Sequence, residues 1–303
     1  MARRKKAHIA SPRYWPTWLV LLSLWSIGKF LSYPAALQLG SFLGRLIYRL
    51  ASRRKHIARI NLHLCFPEKS DGALEQLVIE HFESLGIGLV LTGFAWWARD
   101  AKLQPLIHIE GLEHLDNCLS QGRGALLLGS HFTDLEFSGR LLKLRTPVAV
   151  MYRRHENPVI EWAFSRNRKQ NFVAAIPRED IRSTVRTLRN NHPVWYAPDQ
   201  SFKGPNSTLA AFFGEPASTN TGTSRLAKIS RSPVLMYICY RLSGNQGFRL
   251  IIKPPLENFP SDDLQADAAR INGLIEEAVR LAPAQYLWIH RRFKKRRGLP
   301  DPY

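Results

Sequence analysis

The sequence predicts an α/β fold, with a mixed, largely parallel sheet flanked by helices, behind an N-terminal helical membrane anchor. Two observations carry this. From about residue 105, short apolar runs alternate with amphipathic stretches of helical length, the pattern of strands joined by crossover helices. Before that point apolar residues recur at helical spacing instead, and the first apolar runs are flanked by cations. No internal repeat or low-complexity linker separates the two parts, so the expected organisation is an anchor over 1–40, a helical lead-in over 41–104 and an α/β domain over 105–303.

The anchor comes first. Arg3, Arg4, Lys5, Lys6 and Arg13 precede an apolar run from Trp18 to Ile27, and Phe30 to Leu39 is again largely apolar. A secretory signal has this order, but no small-x-small cleavage site follows. The run is also short of the ~20 apolar residues that a full span needs, and Lys29 and Pro34 interrupt it. Arg45, Arg49, Arg53, Arg54, Lys55 and Arg59 make the following flank equally basic, so charge does not put the two ends on opposite sides. The expectation is an interfacial anchor with both ends cytoplasmic; a single true span is the rival.

Asn61 to Pro67 reads as a turn-like connector, and Leu74 to Trp97 as a helix, with Leu74, Leu77, Val78, Phe82 and Leu85 at spacings of three and four. Beyond it, Ala125–Gly129 (strand), Leu135–Leu144 (helix) and Val148–Tyr152 (strand) form one unit. Val173–Ile176, Ile181–Arg189 and Val194–Ala197 repeat that strand–helix–strand order. A helix at Thr223–Ser230, strands at Val234–Tyr240 and Phe248–Ile252, and a helix over Leu264–Leu281 complete the chain.

Composition narrows the function. With 303 residues, 45% of them hydrophobic, the chain can build a substantial core. Forty-three Lys and Arg against 24 Asp and Glu leave a net charge of +19, which attracts polyanions: nucleic acid, an anionic membrane or an acidic protein. No helix-turn-helix, RNA-recognition or zinc pattern supports the first of these. Cys65, Cys118 and Cys239 are odd in number and far apart, against a disulfide framework and in keeping with a reducing compartment. No phosphate-binding glycine motif points to a nucleotide.

The sharpest local feature is Gly129-Ser-His-Phe-Thr-Asp-Leu-Glu136. It puts His131 at the carboxyl end of a buried strand, where open α/β sheets place ligands, with an acid in the next turn. A carboxylate behind an imidazole fixes its tautomer and stabilises the imidazolium, which suits a general base. The bland alternative is a helix-capping His with Glu136 solvated. Asp134 is a second candidate for the partner acid. Ser130 as nucleophile lacks the Gly-x-Ser-x-Gly elbow, and His108, Glu110 and His114 have no recognised metal-ligand spacing, so no metal is expected.

The His-x4-acid unit after a strand, in a basic chain with an N-terminal anchor, resembles the glycerolipid acyltransferase signature. More narrowly, the chain resembles the late (secondary) acyltransferases of lipid A biosynthesis, of the Kdo-linked lipid IVA lauroyl- or myristoyltransferase kind. Arg13–Trp18, Asn61–Pro67, His131–Glu136, Trp195–Gln200, Phe212–Ala217 and Tyr286–Lys294 carry the likeness, in order, over nearly the whole chain. It implies a glycerolipid-acyltransferase-like fold at the cytoplasmic side of the inner membrane, with no cofactor. It also implies an acyl carrier protein thioester as donor and, as acceptor, the hydroxyl of a 3-hydroxyacyl chain on a phosphorylated lipid A precursor. A lysophosphatidic acid or other glycerolipid acceptor is the alternative, nucleic-acid binding a remote one, and thioester hydrolysis a side reaction.

The resemblance also distributes roles. Its Glu in place of the wider signature's Asp favours Glu136 over Asp134 behind His131. The family's Gly-Arg-x-Arg stretch appears as Ser165-Arg166-Asn167-Arg168, without the leading Gly; Arg168 is the first choice for an oxyanion or phosphate contact, with Arg166 beside it. Arg153, Arg154 and Asn157, past a strand end, suit the acceptor's phosphates, and Asp199, past another, a sugar hydroxyl or an arginine. Arg291, Arg292, Lys294, Lys295, Arg296 and Arg297 are expected to meet anionic lipid or the acidic carrier protein.

Overall fold

The computed structural model describes residues 9–303; Arg3, Arg4, Lys5 and Lys6, the basic start of the expected anchor, lie outside the described residues. Four helices lead in: α1 (Trp15–Phe30), α2 (Tyr33–Leu50), α3 (Ser52–Cys65) and α4 (Asp71–Trp97). The first two separate at Leu31, which is extended, and Ser32 caps the next helix through Ala35 N–H, with Pro34 in its first turn, where a missing N–H costs nothing. Asn61–Cys65, expected as a connector, is instead the last turns of α3: Asn61 is buried there and its amide reaches the carbonyls of Trp288 and His290. The chain turns only after Cys65.

The α4 helix is apolar nearly all round, as a helix buried on most sides must be. Both α1 and α2 lie against it, and glycines set the spacing. A Cβ on Gly44 would come within 2.2 Å of Phe82 O, one on Gly86 within 2.2 Å of Gly40 O, and one on Gly28 within 2.1 Å of Gly93 O. Backbones this close exclude any side chain at these positions.

The α/β part follows in order: α5 (Asp100–Leu103), β1 (Ile107–Glu110), α6 (Leu112–Ser120), β2 (Ala125–Leu128), α7 (Leu135–Lys143), β3 (Ala149–Tyr152), α8 (Pro158–Asn171), β4 (Ala175–Pro177), α9 (Ile181–Arg189), β5 (Pro193–Tyr196), β6 (Ser207–Phe212), β7 (Glu215–Asn220), α10 (Gly222–Ser230), β8 (Val234–Arg241), β9 (Phe248–Pro255) and α11 (Leu264–Leu281). Seven strands form one sheet in the order β1-β9-β8-β2-β5-β3-β4, and only the β8–β9 pair is antiparallel. The predicted mixed, largely parallel sheet is therefore present. Helix α8, unforeseen because its apolar spacing is weak, begins at an Asn157 cap and carries Arg166 and Arg168. The β6–β7 hairpin also escaped notice; it turns on Phe213 (φ 52°) and Gly214 (φ 78°), the two left-handed residues a two-residue turn requires.

One core cluster lies on each face of the sheet. On one, Leu141 and Leu142 of α7 and Leu91 and Phe94 of α4 cover Leu127, Val150 and Trp195; on the other, Leu188 of α9, Leu226 of α10 and Ile271 of α11 cover Leu126, Met151 and Val194. Period-two alternation along each strand sends neighbours to opposite faces. The carboxyl ends of β2, β5 and β3 consequently stand side by side with a helix layer on either side.

Candidate active site

Strand β2 ends at Leu128 and its parallel neighbour β5 at Tyr196, and these two residues are in register. Three residues past each of them stand His131 and Asp199. Parallel strands in register run out in the same direction, so the two side chains meet. Asp199 Oδ2 accepts from the His131 backbone N–H at 2.8 Å, and Oδ1 lies 2.5 Å from the ring Nδ1. A carboxylate only accepts, so Nδ1 carries the hydrogen and Nε2 is left toward the pocket. The His131 side chain is 25% exposed and Asp199 only 1%.

Burial opposes charge on both groups, yet each favours the charged form of the other. His131 sits above its ordinary value because the Asp199 charge and hydrogen bond outweigh desolvation of the imidazolium. Asp199 sits below its own: burial pushes it up, and the His131 charge and hydrogen bonds pull it down further.

Around this pair the local backbone is fixed from three sides. Gly129 leaves no room for a side chain, since a Cβ would stand 2.3 Å from Trp195 Nε1. The segment after α11 pairs with the His131 loop: Leu287 N–H donates to His131 O, and Thr133 N–H donates to Gln285 O. Beneath, Arg241 joins Asp134 Oδ2 at 2.8 Å and Ser84 at 3.1 Å, and Ser84 joins Thr133. Asp134, the second candidate for the partner acid, is thus spent on Arg241; burial raises it and the Arg241 charge draws it back.

The expectation that Glu136 backs His131 needs correcting in its geometry. The acid at Nδ1 is Asp199; Glu136 pairs with Arg168 and accepts from Trp96 Nε1 at 3.3 Å. The reason is the helix: Glu136 lies in the first turn of α7, directed at α8, while Asp199 leaves a strand adjacent to that of His131. Arg168 itself is held between the rings of Tyr152 (5.0 Å) and Phe164 (4.7 Å), a cation bracketed by aromatic faces.

A pocket of ≈ 640 Å³ opens here, and His131, Glu136, Arg153 and Arg168 all line it. That volume falls within the range of small-molecule sites. Arg153 is exposed past β3 with Glu156 at 3.5 Å. Four residues expected to hold substrate stand outside the lining, and the first, Asp199, is buried against His131 instead of meeting a sugar hydroxyl or an arginine. Asn157 caps α8 and donates to Thr17 of α1 at 3.2 Å, Arg166 lies over the Trp162 ring, and Arg154 is on the surface. Sequence reasoning missed the lining supplied by Arg178, Asn206, Asn220 and Arg225. Arg178 follows β4, Asn206 precedes β6, Asn220 ends β7 and Arg225 lies within α10, so no shared local pattern marked them.

The basic C-terminal run needs a sharper correction. Arg292 is 2% exposed; it donates to Ser218 O, Thr219 Oγ1 and Asn272 Oδ1 and lies over the Phe212 ring. Arg291 pairs with Asp301 and Arg296 with Glu215. Lys294, Lys295 and Arg297 remain without an acidic partner among the described residues. His108 and Glu110, which lack metal-ligand spacing, have other partners: His108 Nε2 meets Gln246 O, and Glu110 pairs with Arg249.

Known proteins resemble this chain over nearly its whole length. The family model of bacterial lipid A biosynthesis acyltransferases matches residues 2–295. A lipid A biosynthesis palmitoleoyltransferase of Escherichia coli (strain K12) is 41% identical over 286 residues, 94% of this chain and 93% of that protein. A lipid A biosynthesis lauroyltransferase of the same organism is 38% identical over 295 residues, 96% of each chain. A lipid A biosynthesis acyltransferase of Haemophilus influenzae is 33% identical over 293 residues, 95% of this chain and 93% of that protein. The likeness runs through both the helical lead-in and the α/β part that frames His131, and this chain belongs to the bacterial lipid A biosynthesis acyltransferases.

Proposed function

We propose that this enzyme moves a fatty acyl chain from acyl carrier protein to the hydroxyl of a 3-hydroxyacyl chain on a lipid A precursor, with His131 as general base. The observation that carries the reading is the His131–Asp199 pair, its Nε2 turned to a pocket with an apolar interior. Nε2 takes the acceptor's hydroxyl proton as that oxygen attacks the thioester carbonyl. Asp199 stabilises the imidazolium through Nδ1–H. Collapse of the tetrahedral intermediate breaks the C–S bond, and the imidazolium returns the proton to the departing thiolate, leaving ester and thiol. Positioned general-base catalysis contributes about 10²–10⁴-fold.

Arg168, fixed by Glu136 and two rings, is the cation at the rim, suited to the developing oxyanion or to an acceptor phosphate. Glu136 acts here as the group that aims Arg168. Arg153 at the rim supplies a second phosphate contact. Arg154 and Arg166, on the nearby surface, add positive field, and Asn157 fixes α8.

The same reading puts the protein on the cytoplasmic side of the inner membrane. Helix α1 carries Trp15 (61% exposed), Leu19 (65%) and Phe30 (77%) on its open side. Its 16 residues rise about 24 Å, short of a ~30 Å hydrocarbon core, so it lies in the interface. The α4 helix alone among the described residues is long and apolar enough to cross a membrane, but 67% of its apolar window is buried inside the protein. Basic residues flanking α1 and α2 suit anionic headgroups.

The test is transfer with purified protein, acylated carrier protein and a lipid A precursor, read by mass spectrometry. Wild type should acylate the precursor and His131→Ala should not. Acylation of lysophosphatidic acid in preference to the lipid A precursor would overturn the acceptor assignment.

A further inference from the structure

Helices α9 and α10 lie side by side on the face of the sheet opposite α7, and their outward sides are basic. On α9, Arg182, Arg186 and Arg189 are all exposed and, at spacings of four and three, form one stripe. On α10, Arg225, Lys228 and Ile229 form a second exposed stripe, and Arg231 follows the helix. Neither helix contains an acidic residue. Nearby carboxylates are already engaged: Asp180 caps α9 through Ser183, Glu179 pairs with Arg178, and Asp262 with Lys228. The five arginines of the two stripes and Arg231 therefore keep no acidic partner among the described residues. Like charges at this spacing cost helix stability, so the stripes answer to something outside the fold.

An apolar strip between the two stripes leads to the catalytic pair. Ile181 and Ile229 are exposed, Leu226 is buried beneath them, and all three line the pocket that holds His131, as does Arg225. From Ile229 to Gly222, also in the lining, α10 runs about 10 Å toward the carboxyl edge of the sheet. The pocket thus reaches the surface along a groove with cations on both sides. The apolar side of α1 is placed differently. Leu24 and Gly28 of α1 pack on Gly93 of α4, close to Leu91 and Phe94, which cover the other face of the sheet. The sheet therefore stands between the open side of α1 and these arginines. A bilayer seated on α1 leaves them for a soluble partner.

We propose that the α9–α10 groove is the docking surface for the acylated carrier protein. An acidic face of that protein lies along Arg182, Arg186, Arg189 and Arg231, while its thioester arm enters past Ile181 and Ile229. Guanidinium forks suit carboxylates bidentately, and complementary surface charge raises encounter rates by about 10–10³-fold. Arg225, at the pocket rim, meets the phosphodiester through which the arm is attached. The assignment rests on carrier protein being the donor at His131 and specifies the surface that receives it.

Arg182→Gln combined with Arg186→Gln tests it; Arg189 stays, because it donates to Ile229 O. With acylated carrier protein as donor at low salt, kcat/KM falls by about tenfold or more, while kcat at saturating donor is unchanged. The deficit shrinks at 1 M salt, where the Debye length is about 3 Å. With an S-acyl pantetheine donor, which has the arm without the protein, the variant matches wild type. Arg182→Glu with Arg186→Glu deepens the carrier-specific loss, and Arg182→Lys with Arg186→Lys restores most of it. Flotation with phosphatidylglycerol–phosphatidylethanolamine vesicles is unaltered. Release from these vesicles with carrier kinetics intact would give the patch to lipid and overturn the assignment, as would an equal loss with both donors. Carrier-dependent transfer that the arginine variants leave at the wild-type rate refutes this surface alone. No carrier-dependent transfer by wild type refutes the donor reading, and the surface with it.

Discussion

At the scale of residues, the working unit is a histidine and an aspartate delivered by two adjacent strands. His131→Ala should lower transfer by about 10²–10⁴-fold and lower the melting temperature somewhat, since the buried Asp199 carboxylate then keeps only the backbone N–H of residue 131; single-turnover assays of the folded variant check the first. Asp199→Asn has a distinct readout. The general base works only when neutral, so activity rises with pH through the His131 value, which Asp199 holds above the ordinary one. Removing the carboxylate lets burial dominate, so the acidic limb of kcat/KM should move to lower pH while the plateau falls. An unmoved limb would place the titration elsewhere. Arg292 illustrates the opposite case, a charge with a structural task. Arg292→Gln should destabilise by at least about 1–3 kcal/mol, because it strands buried acceptors on β7 and α11, and denaturant unfolding measures it.

At the scale of elements, close backbone contact rather than side-chain interlock seats α2 on α4. Identical substitutions should therefore have opposite signs in different helices. Alanine replaces a helical glycine with a gain of up to about 1 kcal/mol in propensity. At Gly44 the new Cβ meets Phe82 O and Glu83 Cα, which are backbone and cannot yield, and overpacking costs about 1–3 kcal/mol. Gly44→Ala should lower the melting temperature. A Cβ on Gly273 of α11 meets nothing, so Gly273→Ala should raise it. Equal shifts for the two variants would mean that α2 and α4 are not held at this spacing. The segment after α11 is the second such element. Its pairing with the His131 loop makes the far end of the chain part of the site's support.

At the scale of the whole molecule, charge and apolar surface are placed apart. The open side of α1 is apolar, while Lys294, Lys295 and Arg297 stand in the C-terminal run without acidic partners among the described residues. Leu19→Glu with Leu22→Glu, both sites exposed, should release the protein from anionic vesicles without changing its melting temperature; flotation measures it. Charge should act separately and through salt, because the Debye length falls from about 10 Å at 0.1 M to about 3 Å at 1 M. Substituting Gln at Lys294, Lys295 and Arg297, the cations of the C-terminal run left without acidic partners, should flatten the salt dependence of activity or of vesicle binding. Equal slopes for variant and wild type in both assays would exclude either task for them.

The sequence by itself determined the fold class, the strand before His131, the amphipathic helices and the family, because those depend on local periodicity and on short motifs. It placed His131 correctly at the carboxyl end of β2 and Asp199 at that of β5, but it could not join them. Strand order is a long-range property: that β5 lies next to β2, in register at Leu128 and Tyr196, is written in no local pattern. For the same reason it assigned Glu136, near in sequence, to His131, where the fold gives it to Arg168, which lies on α8. It counted Arg292 among surface cations because composition cannot reveal burial. Only tertiary structure decided that this arginine holds β7 to α11, where almost no solvent reaches it.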